Sequence, residues 1–157
     1  MGADCCQKAE QDVIQCKDQR LLVFFIWQRN GGEQMMRLSL KVNVKTTKQR
    51  LWELITHPEG YPSFIPNVKE VTVLERNQET SLVRWKISIE EVEMQWTEQC
   101  HYDGQNARLS FHMVRGDFSA YDGILLIEHA SHGVDLVLDV TIDWGLPSFE
   151  KVIARVV

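Results

Sequence analysis

The feature that most constrains the fold is a regular alternation of apolar and polar residues between Arg37 and Asp143, interrupted once by a short helical pattern. At the start of this region, apolar residues occupy every second position: Leu38, Leu40, Val42 and Val44. A period of two is typical of a β-strand with one apolar and one solvated face. The sequence therefore predicts an antiparallel sheet whose apolar face must be covered by a second layer or by a ligand.

One short helix is predicted directly after the first strand. Residues 46–49 match the pattern of a capping box, with Thr46 as the cap and Gln49 as its partner. The apolar residues Leu51, Leu54 and Ile55 then fall on one helical face. The helix is expected to end at residues 57–58, because a residue that precedes a proline disfavours the helical conformation.

A stiff and partly apolar loop is predicted at residues 58–66, which contain one glycine and three prolines. Proline lacks an amide N–H and glycine is flexible, so we expect no regular structure here. A loop of this kind at the rim of a sheet is suited to act as a lid. Its aromatic residues, Tyr61 and Phe64, are predicted to contact a ligand.

Six further strands are predicted from the alternating pattern and from the turn residues between them. They cover Lys69–Glu75, Ser81–Glu90, Glu91–Tyr102, Ala107–Val114, Ser119–Glu128 and Val134–Asp143. Alternation places a set of large side chains on the apolar face, where they form core or contact a ligand: Trp85, Met94, Trp96, Phe111, Met113 and Trp144. Arg84 and Lys86 have the opposite parity to Trp85 and are predicted on the solvated face.

Glu98 breaks the apolar face. It has the parity of Trp96 and Cys100, so simple alternation points its carboxylate inward. A buried charge must meet a donor, raise its pKa or contact water. The more common explanation is that the strand is bulged, or that the residue lies at the solvated end of the sheet. Glu98 is therefore a candidate catalytic residue.

Composition narrows the class of protein. A chain of 157 residues with 44% hydrophobic and 25% charged residues fits one soluble domain with a sizeable core. The net charge of -5 and the lack of a Lys/Arg cluster argue against nucleic acid as a partner. The four cysteines show no disulfide framework, which favours a reducing cytoplasm.

Metal and cofactor sites are not expected. The five histidines include no pair at the helical spacing that zinc sites use. The sequence also lacks a glycine-rich phosphate loop, a nucleophile elbow and a paired Cys-His arrangement. We therefore predict no metal and no cofactor.

The first 36 residues differ from the rest of the chain and are predicted to be an extension outside the core domain, which would span residues 37–157. Residues 21–27 form an apolar run that is far shorter than the roughly 20 residues needed to cross a bilayer. No integral membrane span is therefore expected.

Several short motifs occur together in a characteristic order: Tyr61-Pro62-x-Phe64-x-Pro66, Val68-x-x-Val71, Trp96, Gly116-Asp117-Phe118, Gly123 and Asp143-Trp144-Gly145-Leu146-Pro147. In this order and spacing, they resemble the polyketide cyclase/dehydrase and coenzyme Q-binding branch of the START-like SRPBCC superfamily. The resemblance covers about residues 37–157 and implies an α+β helix-grip fold, in which a curved antiparallel sheet surrounds a C-terminal helix and leaves an apolar cavity. Tyr61 matches a family position best. The family's cationic pocket residue would correspond to Arg84 or Lys86, although parity opposes both.

The chain departs from this pattern at its C-terminus. Residues 148–157 resemble only the first turns of the C-terminal helix, with Ser148 as its N-cap. We therefore expect a truncated helix, unless the apolar run at residues 21–27 or a second subunit in a homo-oligomer covers the sheet instead. An uncovered sheet would expose an apolar patch that soluble monomers rarely tolerate.

Three functions follow from the sequence and the resemblance. The first, which the nearly all-apolar inner face favours, is a carrier or sensor of a small hydrophobic molecule such as a lipid, quinone, isoprenoid or polyketide-like compound. The second is a cyclase or dehydratase that uses Tyr61 and Glu98 as acid and base. The third is a protein-interaction role resembling that of ribosome-association toxins.

Overall fold

The computed structural model describes residues 13–15, 21–30, 33–89, 91–143 and 145, with side chains described from residue 35 onward. In these ranges the strands are β1 (Val13–Gln15), β2 (Leu21–Asn30), β3 (Glu33–Val44), β4 (Val68–Arg76), β5 (Thr80–Ile89), β6 (Val92–Asp103), β7 (Arg108–Gly116), β8 (Ala120–His129) and β9 (Val134–Asp143). They form one antiparallel sheet in the order β1-β2-β3-β9-β8-β7-β6-β5-β4. One α-helix, α1 (Lys48–Thr56), lies between β3 and β4, so the predicted α+β class is confirmed.

The predicted strands after the helix are all present, with ends that differ by at most two residues. Their faces follow the alternation at most positions, because the inward positions carry most of the buried side chains and the outward positions carry most of the exposed charges. Thr97, at an outward position of β6, is nevertheless buried. The first strand is longer than predicted, since β3 begins at Glu33 rather than Arg37.

Helix α1 begins one residue later than the capping-box pattern predicts. Thr47, not Thr46, is the N-cap, and its Oγ1 atom accepts a hydrogen bond of 3.2 Å from the backbone N–H of Arg50. Gln49 therefore does not reach back to the cap, and its amide donates to Glu53 Oε1 at 3.2 Å. The helix ends before His57, as predicted.

The prediction that residues 58–66 lack regular structure was wrong for their first part. Residues Pro58–Ser63 form a 3-10 helix, and the backbone N–H of Phe64 then donates to Tyr61 O at 3.1 Å. Proline is tolerated at the first position of a helix because the N–H that it lacks would have no partner there. We call residues 58–66 the lid segment.

The apolar run at residues 21–27 extends the sheet instead of covering its face. It belongs to β2, which pairs with β3 from Leu21 opposite Val42 to Asn30 opposite Glu33. The β-branched and aromatic residues of this run favour the strand conformation. The boundary of the core domain at residues 36–37 stays a prediction, and the expected C-terminal helix at residues 148–157 lies outside the described residues.

The core lies between the inner face of the sheet and helix α1. The helix buries Leu51 and Ile55, whereas Leu54, predicted on the same face, is 45% exposed. Gly123 lies opposite Phe111 in the register of β7 and β8, and a Cβ atom at this position would lie 2.6 Å from Phe111 Cζ. A glycine here is what lets the Phe111 ring lie flat over the neighbouring strand.

Candidate ligand-binding site

A continuous cluster of aromatic side chains runs across the inner face of β5 to β8. Trp85 and Trp96 stack with ring centroids 5.9 Å apart and an interplanar angle of 8°. Trp96 also contacts Phe118 at 5.3 Å and Tyr121 at 5.2 Å, and Tyr121 stacks on Phe111 at 5.3 Å. We call these five residues, together with Tyr61, the aromatic cluster.

The strand register explains why the cluster forms. Trp85 of β5 lies directly opposite Trp96 of β6, so their side chains leave the same face side by side. On the other flank Trp96 pairs with Gly116, where any side chain would collide with Trp96 and would lie 2.8 Å from the backbone oxygen of Gln95. The absence of a side chain at Gly116 therefore leaves room for the Trp96 side chain.

The lid segment closes one end of the cluster. Tyr61 contacts Trp85 with ring centroids 5.7 Å apart, and it contacts Phe64 at 5.5 Å. The segment is tied to β4 by a bidentate ion pair, in which Arg76 donates to the two carboxylate oxygens of Glu59 at 2.8 and 3.0 Å. Arg76 also donates to the backbone oxygen of Thr56 at 3.1 Å.

Glu98 lies inside the apolar face beside the two tryptophans. The residue is only 4% exposed, and its carboxyl group accepts hydrogen bonds from Trp96 Nε1 at 2.9 Å and from Cys100 Sγ at 3.5 Å. No Lys, Arg or His of the described residues forms an ion pair with it. A carboxyl group in this position is costly to ionise.

A bulge does lie next to Glu98, but on the neighbouring strand. Thr97 pairs with Arg115 and Glu98 pairs with Met113, which leaves Val114 of β7 as the extra residue. The regular pairing of β6 with β5 continues through this point, with Glu98 opposite Val83. The bulge therefore turns Val114 outward, where it is 56% exposed, and leaves Glu98 facing inward. Glu98 is not at the solvated end of the sheet.

Burial controls the ionisation of the groups around the cluster. Burial raises the pKa of Glu98, and the donor groups of Trp96, Trp85 and Cys100, which favour the ionised carboxylate, only partly oppose this shift. Burial also raises the pKa of the Cys100 thiol to about 12, with a further contribution from Glu98. The pKa values of Tyr61 and Tyr121 are raised by burial as well. The site therefore favours neutral forms of its titratable groups.

The comparison with protein families shows one family to which the chain is similar. A profile described as "Polyketide cyclase / dehydrase and lipid transport" matches residues 44–156, which is most of the chain. The chain belongs to this family. The comparison with curated proteins gives no match.

Solved structures show the same fold at low sequence identity. A protein of Thermus thermophilus superimposes with a TM-score of 0.70 at 22% identity, covering 76% of this chain and 82% of the other. The Zhui aromatase/cyclase of Streptomyces sp. R1128 gives 0.64 at 19% identity, with coverage of 69% and 67%. A START superfamily protein of Mycobacterium smegmatis gives 0.65 at 17% identity, with coverage of 76% and 88%. The resemblance to the START-like superfamily and its helix-grip fold is therefore confirmed.

Most of the residues predicted for the site come together on the inner face. Trp96 and Phe111 belong to the aromatic cluster and are buried, and Trp85 is half-buried. Met94 is buried and pairs with Ile87 of β5, and Met113 packs against the core. These positions fit core packing as well as ligand contact, so their role in binding stays a prediction.

Three predicted residues are placed differently from the rest. Phe64 of the lid segment is 53% exposed, and its ring contacts that of Tyr61. Tyr61 packs against Trp85, but burial raises its pKa and makes its hydroxyl a weaker acid than a free tyrosine. Trp144 lies outside the described residues.

The outward positions Arg84 and Lys86 lie on the solvated face, as their parity predicts. Arg84 is exposed, and Lys86 forms an ion pair with Glu93 at 3.2 Å. Neither is therefore a cationic residue of the inner face in this family member.

Phe118 and Tyr121 were missed as site residues. Tyr121 has the inward parity of β8, so the alternation could have identified it. Phe118 lies in a turn, where alternation carries no information about direction. The turn is held against β6 because Asp117 Oδ2 accepts a hydrogen bond of 2.7 Å from the backbone N–H of Gln95.

A cleft of about 240 Å³ is lined by Trp52, Thr56, His57, Arg76, Asn77, Gln78, Tyr102 and Gly104. Several of the side chains that line it are already paired with each other or with neighbouring groups. Trp52 packs edge-on against Tyr102 with ring centroids 6.3 Å apart, and the Tyr102 hydroxyl forms a hydrogen bond of 2.7 Å with Ser81 Oγ.

No group of His, Cys, Asp and Glu suited to a metal ion occurs in the part of the chain that the structure describes. No helix within that part is long and apolar enough to cross a membrane.

Proposed function

We propose that this protein binds a small hydrophobic molecule, such as a lipid, quinone, isoprenoid or polyketide-like compound, against the aromatic cluster and acts as its carrier or sensor. The observation that carries the proposal is the unbroken row of aromatic contacts from Phe64 and Tyr61 through Trp85 and Trp96 to Tyr121 and Phe111. Ligand pockets are usually lined mainly by hydrophobic and aromatic side chains with few polar groups.

The polarity of the inner face supports a binding role. Across β5 to β8 it presents aromatic and aliphatic side chains, and Glu98 is the one ionisable carboxyl group among the buried residues described there. Large aromatic surfaces provide affinity for an apolar ligand through burial of area and stacking. The family description, which includes lipid transport, is consistent with this function.

Titration of the protein with a quinone, a fatty acid and an environment-sensitive dye tests the proposal. We expect saturable binding at micromolar concentration and an associated change in tryptophan fluorescence. Trp85→Ala should weaken binding at least tenfold, whereas Trp52→Ala, at a tryptophan that contacts Tyr102 outside the cluster, should not. If none of the three probes shows saturable binding, the proposal is contradicted.

A second candidate function is a cyclase or dehydratase, and the position of Glu98 is the observation that favours it. A carboxyl group held in an apolar site with a raised pKa keeps its proton to a higher pH than an ordinary glutamate, as a general acid or base requires. The similar Zhui protein is named an aromatase/cyclase. Tyr61 is a poor second proton donor, because burial raises the pKa of its hydroxyl. The geometry therefore supports binding better than acid–base catalysis by a pair.

A further inference from the structure

One hydrogen-bond donor in the aromatic cluster has no partner. The indole Nε1 atom of Trp85 is buried and makes no hydrogen bond within the described residues. The equivalent atom of Trp96, the ring stacked against it, donates to Glu98 at 2.9 Å. A buried donor without an acceptor is destabilising, so native structures rarely leave one unless a ligand or water completes the site.

Glu98 is the polar group that this donor faces. The Trp85 N–H favours the ionised form of this carboxyl group, although it makes no hydrogen bond to it. Both carboxyl oxygens already accept bonds, one from Trp96 and one from Cys100. When the carboxyl group carries a proton, its O–H is a second donor beside the Trp85 N–H.

We propose that Trp85 Nε1–H and the carboxyl group of Glu98 form the polar end of the aromatic cluster and bind a neutral acceptor oxygen of the ligand, such as a ketone oxygen. This inference rests on the proposed binding function and narrows its ligand class. One carbonyl oxygen has two lone pairs and can accept from both donors. A pure hydrocarbon offers no acceptor to either donor, and a carboxylate anion places a second acidic group beside Glu98 without a compensating cation.

Access to this polar end depends on the lid segment. The Tyr61 ring packs against Trp85, so the ligand reaches the donor pair when Tyr61 moves off the indole. The cluster on the far side of Trp96 stays packed, because Phe118 and Tyr121 contact each other as well as Trp96.

Binding of a matched pair of ligands tests the proposal. Fluorenone and fluorene share one ring skeleton and differ in a carbonyl group against a methylene group, and fluorene-9-carboxylate supplies the anion. We expect the full chain to bind fluorenone about tenfold more tightly than fluorene, and the carboxylate more weakly than either. Infrared spectroscopy should show the carbonyl stretch of bound fluorenone at a lower frequency than in an apolar solvent.

Two variants separate the donor pair from the surrounding aromatic surface. Trp85→Phe keeps a ring but removes the N–H, and it should reduce the preference for fluorenone and shift the carbonyl stretch back toward the apolar value. Trp52→Phe is the matched control and should change neither quantity. Glu98→Gln should retain the preference, because the amide is still a donor, whereas Glu98→Leu should reduce it.

The outcomes distinguish this inference from the function on which it rests. Equal affinity for fluorenone and fluorene with an unshifted carbonyl stretch overturns the inference and leaves the binding function standing. Failure of both ligands and of the earlier probes to bind overturns both. A preference for fluorenone that Trp85→Phe leaves unchanged shows that the carbonyl lies elsewhere and also overturns the inference.

Discussion

Glu98 is expected to affect both the stability of the fold and the function of the site. Its raised pKa means that the folded protein holds the proton more tightly than the unfolded chain does. As the pH rises above the ordinary value of 4.5, the unfolded chain ionises first, and folding loses stability until the pH passes the raised pKa. Glu98→Gln cannot ionise, so we expect the free energy of unfolding of the wild type to fall relative to that of the variant across this window.

Urea denaturation of both proteins between about pH 4 and pH 8 measures this difference. The gap should level off once Glu98 is ionised in both states. A difference between wild type and variant that does not change with pH would mean that Glu98 has an ordinary pKa and contacts water.

The same substitution distinguishes the two candidate functions. For a carrier, Glu98→Gln should leave the affinity for an apolar ligand within a few-fold, because the amide keeps the volume and removes a costly charge. For a cyclase or dehydratase, the variant should lose turnover of a polyketide substrate while keeping the fold, because an amide cannot accept a proton. If the wild type turns over the substrate and the variant does not, the protein is an enzyme and the carrier function is contradicted.

Trp96 lies at the centre of the aromatic cluster, and its loss should lower the stability of the whole domain. The residue is 7% exposed, stacks on Trp85 and packs against Tyr121. Trp96→Ala should therefore lower the free energy of unfolding by about 3–5 kcal/mol, and it should also remove the indole donor to Glu98. Chemical denaturation provides the measurement, and a loss below about 1 kcal/mol would show that the surrounding rings do not depend on Trp96.

At the scale of elements, the ion pair between Glu59 and Arg76 restrains the lid segment. The two side chains are 42% and 35% exposed, so the pair contributes only about 0–1 kcal/mol to global stability. Its local effect is larger, because it joins the 3-10 helix to the end of β4. Glu59→Gln should increase amide hydrogen exchange in residues 60–65 and speed ligand association, with little change in the unfolding midpoint.

Glu75→Gln is the control for this prediction, since Glu75 precedes Arg76 on the same strand and has an exposed side chain. An unchanged exchange rate in the lid segment of Glu59→Gln would show that the packing of Tyr61 on Trp85 is sufficient to hold it.

The strands were predictable because a period of two is visible without any knowledge of long-range contacts. The same pattern located Trp85, Trp96 and Phe111. It also pointed Glu98 inward, whereas the favoured explanation, a bulged strand or a solvated strand end, was wrong for this residue. Local sequence could not show which strand carries the bulge, because Val114 is displaced only by its pairing with β6. Nor could it orient Phe118, whose direction depends on a hydrogen bond between Asp117 and a distant backbone N–H.

At the scale of the whole molecule, β2 pairs with one edge of β3, so that this edge is not exposed. Strand β3 pairs with β9 on its other side from Met35 to Val44. A chain that lacks residues 1–30 should therefore fold and bind the same ligands, with a lower thermal midpoint because β3 becomes an exposed edge. Loss of folding in this shortened chain would place β2 in the core domain and move the predicted boundary at residues 36–37.

The near-parallel arrangement of Trp85 and Trp96 has an optical consequence. Two indole rings at this separation and angle share their excited states, so they absorb polarised light as a coupled pair and not as two independent chromophores. A ligand that slides beneath Tyr61 and tilts either ring changes this coupling without altering the backbone. The circular dichroism of the aromatic bands thus gives the protein a label-free signal of occupancy, located at the residue pair where the ligand is expected to bind.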